Sequence, residues 1–284
     1  MELEFVKMQG CGNDYIYLDC RTTGLPPEVS RWAVELSPRH TSVGADGIIC
    51  VCPPLNEGSH ATMRMFNADG SEGRMCGNGI RCVAQFLYEH GVQEDRMVID
   101  TPLDSSTPTK TLFRVGDGIW QVDMGRYRTQ AADIPAINMG QGSLVNMPLE
   151  VGGKTWTVTC VSVGNPHCVT FLDTPVKELE LSKIGPDFER HPNFPHQINT
   201  EFVRVLGPDL VEMRVWERGS GETYACGTGA CATAAACVEL GIFKRDTDIT
   251  VRLKGGELVI RVGQNGELTM TGPAKTVYRG TAYL

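Results

Sequence analysis

Cys76 and Cys226 are the residues of this chain best placed to do chemistry. Cys76 lies in Met75-Cys76-Gly77-Asn78-Gly79-Ile80-Arg81-Cys82, a glycine-rich turn that feeds the run from Val83 to Gly91. That run is apolar along one helical face and stops at a glycine suited to the position just beyond a helix. A thiol ahead of a helix faces backbone N–H groups that lack helical partners, and the positive end of the helix dipole. The setting predicts a lowered thiol pKa and an anion pocket beside the sulfur. The construction recurs at Ala225-Cys226-Gly227-Thr228-Gly229-Ala230-Cys231, which opens the run from Ala232 to Gly241. In both copies a glycine stands fifteen residues after the first cysteine. One Cys-Gly-x-Gly can arise by chance, whereas two with equal helix lengths behind them point to an internal duplication.

Two such thiols on opposite sides of one cleft suit proton transfer at a carbon atom. One sulfur removes a proton from one face, the other delivers a proton to the opposite face, and the configuration inverts. Two helix N-termini between the sulfurs would hold a carboxylate and stabilise the charge that develops at the α-carbon. Each dipole contributes only about 0.3–2 kcal/mol. A well-placed backbone donor adds roughly 3–4 kcal/mol in a dry site. An enzyme must lower its barrier by about 8–23 kcal/mol. Several donors and a closed cleft are therefore needed as well.

The elements that must position these residues recur in order. Alternation over Phe5–Met8 and Tyr15–Leu18 predicts two strands around a turn holding Gly12-Asn13-Asp14. A short helix over Pro26–Leu36 and strands at Gly47–Val51 and Thr62–Phe66 follow. The last of these delivers a polar loop, Asn67 to Arg74, into Cys76. Strands near Met97–Thr101, Thr109–Val115 and Ile119–Asp123 complete the first half. Gly125–Leu149 has little regular pattern and reads as a crossover. Lys154–Val163 then leads to Gly164-Asn165-Pro166-His167 and a strand at Cys168–Leu172. A helical stretch near Val176–Ile184 precedes Asn199-Thr200 and a strand at Glu201–Val205. Leu210–Trp216 ends in Glu217-Arg218 and a polar loop that runs into Cys226. Strands at Asp248–Leu253, Glu257–Val262 and Glu267–Met270 close the second half. Asn13 lies 63 residues before Cys76, and Asn165 lies 61 before Cys226. The halves thus align almost in register.

Bulk properties narrow the class. With 284 residues, 41% hydrophobic and 21% charged, the chain reads as globular, in one large or two medium domains. A net charge of −8 and the lack of a basic cluster speak against a nucleic-acid partner. No apolar run approaches a membrane span, and the start shows neither a signal-peptide nor a transit-peptide pattern. Eleven cysteines in a chain of this length suggest reduced thiols and a cytoplasmic location. Cys50, Cys52, Cys160, Cys168 and Cys237 sit in apolar patterns and read as packing residues. Cys50-Val51-Cys52 has no matching second pair, so no metal site is expected.

The whole chain resembles the diaminopimelate epimerase family. The likeness rests on Gly12-Asn13-Asp14, Phe66-Asn67-Ala68-Asp69-Gly70-Ser71, Cys76-Gly77-Asn78-Gly79, Gly164-Asn165-Pro166-His167, Asn199-Thr200-Glu201-Phe202, Trp216-Glu217-Arg218-Gly219 and Ala225-Cys226-Gly227-Thr228-Gly229. It implies an α/β (α+β) fold of two pseudo-symmetric domains, each a mixed, barrel-like sheet wrapped around a central helix. The N-terminal half would span 1–124 plus 272–284, and the C-terminal half 125–271. It implies epimerisation of LL- to meso-diaminopimelate without pyridoxal phosphate or any other cofactor, in lysine biosynthesis, by a homodimer. Cys76 and Cys226 would be the acid/base pair. Backbone donors would come from Gly77, Asn78, Gly227 and Thr228. Asn13, Asn67, Asn165, Asn199, Glu217 and Arg218 would line the substrate pocket, with His167 in support. The residue chemistry fits a substrate with a second amino acid head: Arg218 suits its carboxylate, Glu217 its ammonium, and the asparagines either.

Plainer roles compete with these. Asn in a glycine-flanked turn often serves left-handed backbone geometry. Glu217-Arg218 could be a surface ion pair, and His167 a satisfied polar residue. Cys11 and Cys82 read as packing. Among functions, a proline racemase-like or hydroxyproline epimerase would share the paired cysteines but would not need the second-head residues. A non-enzymatic redox-sensing thiol protein would exchange no substrate proton.

Overall fold

The computed structural model describes residues 1–103 and 108–284. In chain order it begins with β1 (Glu2–Gly10), β2 (Asn13–Asp19), α1 (Val29–Leu36), β3 (Gly47–Cys52), β4 (Ala61–Asn67), β5 (Glu72–Gly73), α2 (Gly77–Glu89), β6 (Arg96–Asp100), β7 (Thr109–Gly116) and β8 (Ile119–Arg126). There follow β9 (Met147–Val151), β10 (Lys154–Ser162), β11 (Pro166–Phe171), α3 (Leu181–Glu189), β12 (Asn199–Gly207), β13 (Leu210–Glu217), β14 (Gly221–Glu222) and α4 (Gly227–Glu239). The chain ends with β15 (Asp248–Leu253), β16 (Gly256–Val262), β17 (Glu267–Pro273) and β18 (Lys275–Tyr283). Two compact units emerge, Met1–Asp123 with Thr271–Leu284, and Met124–Met270.

The two units have the same topology. In the first, β1 runs antiparallel to β2, β2 parallel to β3, β3 antiparallel to β4, β4 parallel to β6, and β6 antiparallel to β7. In the second, β10 through β16 repeat this alternation: antiparallel to β11, parallel to β12, antiparallel to β13, parallel to β15, antiparallel to β16. Parallel neighbours need a crossover, and in each unit the two crossovers carry helices. These are α1 and α2 in the first unit, α3 and α4 in the second. The outer edge of β1 pairs with β18, and that of β10 with β9.

The cysteine helices sit inside their units. α4 packs against β10, β11, β12, β15 and β16. Its run of alanines gives it the slim profile to do so, and residues from Gly229 to Cys237 are all buried. α2 contacts β1, β2, β6 and β18, and every residue from Gly77 to Leu87 is buried. This corrects the one-faced amphipathic reading: the polar side chains of α2 are enclosed too. Arg81, fully buried, donates to the carbonyls of Gly77 at 3.1 Å and Pro273 at 3.2 Å, and to Asn78 Oδ1 at 2.9 Å. Gln85 accepts from Trp120 Nε1 at 2.8 Å. Both helices end as the glycines predict, with Gly91 at φ 100° and Gly241 at φ 70°.

Two segments differ from expectation. Gly125–Leu149 contains a 3₁₀ turn at Ala131–Asp133 and leads into β9, which pairs with β10. Lys275–Tyr283 forms a long strand despite weak alternation, because only one of its faces is packed and several apolar residues point outward.

Candidate active site

In the first unit the sulfur of Cys76 caps α2. Cys76 has extended backbone angles, φ −127° and ψ 118°, and its Sγ accepts from the Gly79 N–H at 3.3 Å. The S–H in turn donates to Asn13 Oδ1 at 3.1 Å. Asn13 reaches this position because the left-handed residues of the β1–β2 turn are Cys11 and Gly12, which leaves Asn13 to open β2. Its side chain is therefore spent on contacts, against the plain reading that it serves backbone geometry. Asn13 Nδ2 donates to Asp46 Oδ2 at 2.7 Å, and Asp46 is tied to Arg39 at 2.8 Å. Asp14 joins the same group. Burial opposes its charge, but hydrogen bonds from Arg39 and Lys7 outweigh that and hold its pKa below the usual carboxylate value.

Asn67 ends β4 directly opposite Gly47, the neighbour of Asp46. A Cβ at Gly47 would stand 2.0 Å from the Phe66 carbonyl oxygen, so only glycine admits this close pairing. Asn67 Nδ2 donates to Ser71 Oγ at 3.0 Å. Asn78 is buried with its side chain engaged by Arg81, so its part toward a ligand falls to the backbone N–H. Gly77 and Asn78 occupy the first helical positions, where no carbonyl lies one turn back. Beneath them, the buried Tyr17 hydroxyl donates to the Gly79 carbonyl at 3.2 Å. Burial and the nearby Cys82 and Cys76 sulfurs push its pKa well up.

The second unit repeats the cap with different surroundings. Cys226 has φ −115° and ψ 111°, and its Sγ accepts from the Gly229 N–H at 3.3 Å. Thr228 Oγ1 lies 3.4 Å from the sulfur, and Asn165 Nδ2 donates to that hydroxyl at 3.3 Å. Gly164 takes the positive φ of the preceding turn, so Asn165, like Asn13, is free of that duty. His167 links Asn165 to Glu201, with Nε2 3.0 Å from Asn165 Oδ1 and Nδ1 2.7 Å from Glu201 Oε1. Asn199 donates to the Pro166 carbonyl at 2.9 Å and accepts the Arg218 N–H at 2.9 Å, which pins the β13 loop to β12.

Glu217 and Arg218 do not pair with each other. Thr223 donates its hydroxyl to Glu217, and the Arg218 guanidinium donates to the His196 carbonyl at 3.0 Å. Arg218 is exposed. Burial raises the Glu217 pKa, against the lowering effects of Thr223 and His167.

The helix N-terminus does not lower the Cys226 pKa, contrary to expectation. Burial pushes it well up, and the carboxylates of Glu217 and Glu201 add to the effect. The hydrogen bonds from Thr228 and Gly229 act the other way but are weaker. Cys226 therefore holds its proton more tightly than an ordinary thiol. Cys76 is half-buried, and its S–H meets the amide oxygen of Asn13.

Of the predicted site residues, Asn13, Gly77 and Asn78 lie beside Cys76, with Asn67 in the same unit at the end of β4. Gly227, Thr228, Asn165, His167 and Glu217 group around Cys226, and Asn199 holds the Arg218 backbone in the same unit. Sequence reasoning missed Asp46, Arg81, Glu189 and Glu201. Glu189, buried on α3, accepts from Trp216 Nε1 and the Gly219 N–H, both at 2.8 Å, and so braces the Glu217-Arg218 turn. Asp46, Glu189 and Glu201 find partners on other elements, whereas Arg81 takes Gly77 and Asn78 from its own helix and reaches only Pro273 beyond it.

A family model for diaminopimelate epimerase matches residues 5–129 and 159–277. The chain belongs to the diaminopimelate epimerase family. A diaminopimelate epimerase from Nostoc punctiforme is 47% identical over 285 residues, covering 99% of each chain. One from Synechocystis is 48% identical with the same coverage. Membership of the diaminopimelate epimerase family makes this chain an enzyme of the racemase and epimerase class. Among solved structures, a hydroxyproline epimerase from Agrobacterium vitis superposes with a TM-score of 0.69 at 14% identity, covering all of this chain and 93% of that one. A phenazine biosynthesis protein of the PhzF family from Bacillus anthracis superposes with a TM-score of 0.68 at 14% identity, with full coverage of both. At such identities these likenesses concern the fold alone, which is the one the diaminopimelate epimerase resemblance implies.

Proposed function

We propose that the protein interconverts LL- and meso-diaminopimelate by moving protons through Cys76 and Cys226, without a cofactor, as a step toward lysine. The observation that carries this reading is the repeated cap: in each unit a cysteine sulfur closes the first turn of an enclosed helix at the same 3.3 Å distance. The two halves, 1–124 with 272–284 and 125–271, each carry one of the two sulfurs.

Cys76, as thiolate, takes the α-proton: the C–H bond breaks and an S–H bond forms. The electron pair left on carbon spreads into the α-carboxylate, which the first-turn N–H groups of Gly77, Asn78, Gly227 and Thr228 stabilise. Cys226 then gives its proton to the opposite face and becomes the thiolate. The inverted product leaves the sulfurs with exchanged roles, ready for the reverse reaction or for reset by solvent. Arg218 receives the distal carboxylate and Glu217 the distal ammonium. Asn13, Asn67, Asn165 and Asn199 fix the amino acid heads by hydrogen bonds, and His167 supports Asn165.

The deciding experiment is incubation with LL-diaminopimelate in deuterated water. Each inverted α-carbon is expected to carry one solvent deuteron. Inversion without label would exclude proton transfer through solvent-exchanged thiols.

The same reading assigns a cytoplasmic location, supported by eleven cysteines of which none forms a disulfide among the described residues. It also assigns a homodimer, supported by the exposed Val277, Tyr278 and Tyr283 of β18. Light scattering at working concentration tests the dimer, and a monomeric mass under full activity would remove it.

A further inference from the structure

A carboxylate that the proton transfer does not use is buried against the first turn of α4. Glu201 is wholly enclosed, and its Oε2 has no hydrogen-bond partner. Packing alone gives no reason for such a group, because an unpaired buried acceptor is destabilising. Strand alternation turns Glu201 toward the central helix while its neighbour Phe202 packs with Phe188 of α3.

From Glu201 Oε1 the contacts run to the sulfur: His167 Nδ1 at 2.7 Å, Nε2 to Asn165 Oδ1 at 3.0 Å, Nδ2 to Thr228 Oγ1 at 3.3 Å, Oγ1 to Cys226 Sγ at 3.4 Å. Each link has a direction. A carboxylate only accepts, so Nδ1 donates to Glu201. An amide oxygen only accepts, so Nε2 donates to Asn165. The amide nitrogen then donates to Thr228, which leaves the hydroxyl hydrogen for the sulfur. The first unit runs the other way. There the carboxylate of Asp46 takes the amide nitrogen of Asn13, and the amide oxygen receives the S–H of Cys76.

We propose that Glu201 is a positioning residue for Cys226. By holding His167 as a donor on both ring nitrogens, it fixes the Asn165 amide and turns the Thr228 hydroxyl toward the sulfur, a donor that acts against the repulsion the carboxylate itself exerts on the thiolate that remains once Cys226 gives its proton away. The inference rests on the two-thiol reading. The ionisable groups around Cys226 are Glu201 from β12, His167 from β11 and Glu217 from β13, with Cys168 of β11 beside Glu201.

The test combines Glu201→Gln, Thr228→Val and the double variant, with Thr228→Ser as the conservative control. Glu201→Gln is expected to lower kcat about 10- to 100-fold with KM within about twofold, part of the roughly 10²–10⁴ that acid–base catalysis supplies. Thr228→Val should lower kcat similarly, Thr228→Ser should lose much less than Thr228→Val, and the double variant should lose little more than either single one. Nitrogen NMR of labelled histidine should show both His167 nitrogens protonated in the native protein and only one in Glu201→Gln. Native kcat in Glu201→Gln, losses that multiply in the double variant, or a His167 with one bare nitrogen in the native protein would each overturn the proposal. If Glu201→Gln does not fold, the Thr228 pair and the native spectrum still decide. If Cys226→Ala keeps full activity, the two-thiol reading fails instead, and the histidine spectrum stands apart from that outcome.

Discussion

Asn13 presents its amide oxygen to Cys76, 3.1 Å from the sulfur, because Asp46 claims the amide nitrogen at 2.7 Å. Asn13→Asp would set two carboxylates face to face at hydrogen-bond distance, where they must share a proton or separate. We expect kcat/KM to fall about 100-fold, with the melting temperature moving only a few degrees. Steady-state kinetics beside thermal unfolding would check this. Unchanged kinetics would mean that Asn13 does not govern Cys76.

Removal of either sulfur should stop epimerisation and spare the fold. Cys76→Ala and Cys226→Ala each lose one acceptor at a helix start, a cost of about 1 kcal/mol. The expected drop in kcat is at least about 1000-fold. Full activity in either purified variant would refute the paired-thiol mechanism.

The two capping glycines should differ in tolerance. A Cβ at Gly229 would stand 2.6 Å from Glu201 Oε1, which is held rigidly by His167. A Cβ at Gly79 would stand 2.7 Å from Ile49 Cδ1, the mobile end of an apolar side chain. Gly79→Ala gains about 1 kcal/mol in helix propensity to offset its crowding. Gly229→Ala should be less stable than native by roughly 1–3 kcal/mol. Denaturant midpoints for the pair would read this, and equal stabilities would count against the rigid carboxylate.

Arg81→Lys should destabilise the first unit. The guanidinium serves the Gly77 and Pro273 carbonyls and Asn78 Oδ1 together. An ammonium on a shorter reach cannot serve three separated acceptors. Each buried acceptor left unpaired costs about 1–3 kcal/mol, so thermal unfolding should show a loss of at least that size. A native melting curve would show that the enclosed arginine is dispensable.

Glu217 carries a pH signature. Its pKa is raised above the ordinary 4.5 by burial, so the folded protein holds this proton more tightly than the unfolded chain does. The contribution to stability is complete below about pH 4.5 and is lost as pH rises through the raised value. Glu217→Gln cannot ionise and escapes that loss. Relative to native, the variant should gain stability between pH 4 and pH 7 while activity falls. A gap between denaturant midpoints that stays constant over this range would contradict the assignment.

The parts legible in the sequence were those encoded locally. The spacing of Cys76, Gly79 and Gly91, repeated at Cys226, Gly229 and Gly241, marks a cap, a close approach and a helix end within one short stretch. Glu201 was not legible, because its tie to His167 depends on the parallel register of β11 and β12, which no run of residues reveals. Asp46 is silent for a similar reason, since its tie to Asn13 depends on the parallel pairing of β2 and β3, while Arg81 hides only its link to the distant Pro273. The helix start pointed to Cys226 but misjudged its proton affinity. The dipole belongs to the helix, while the carboxylates that outweigh it belong to β12 and β13. β18 was hidden by its exposed side chains, although it pairs with β1 over nearly its whole length.

That last pairing bears on how the chain is made. The first unit contains residues from both ends of the sequence, whereas the second is contiguous. On the ribosome, the second unit has all of its strands before β18 emerges from the exit tunnel. The first unit, begun earliest, must wait with an open edge along β1 until β18 has been made, so the order of completion runs opposite to the order of synthesis.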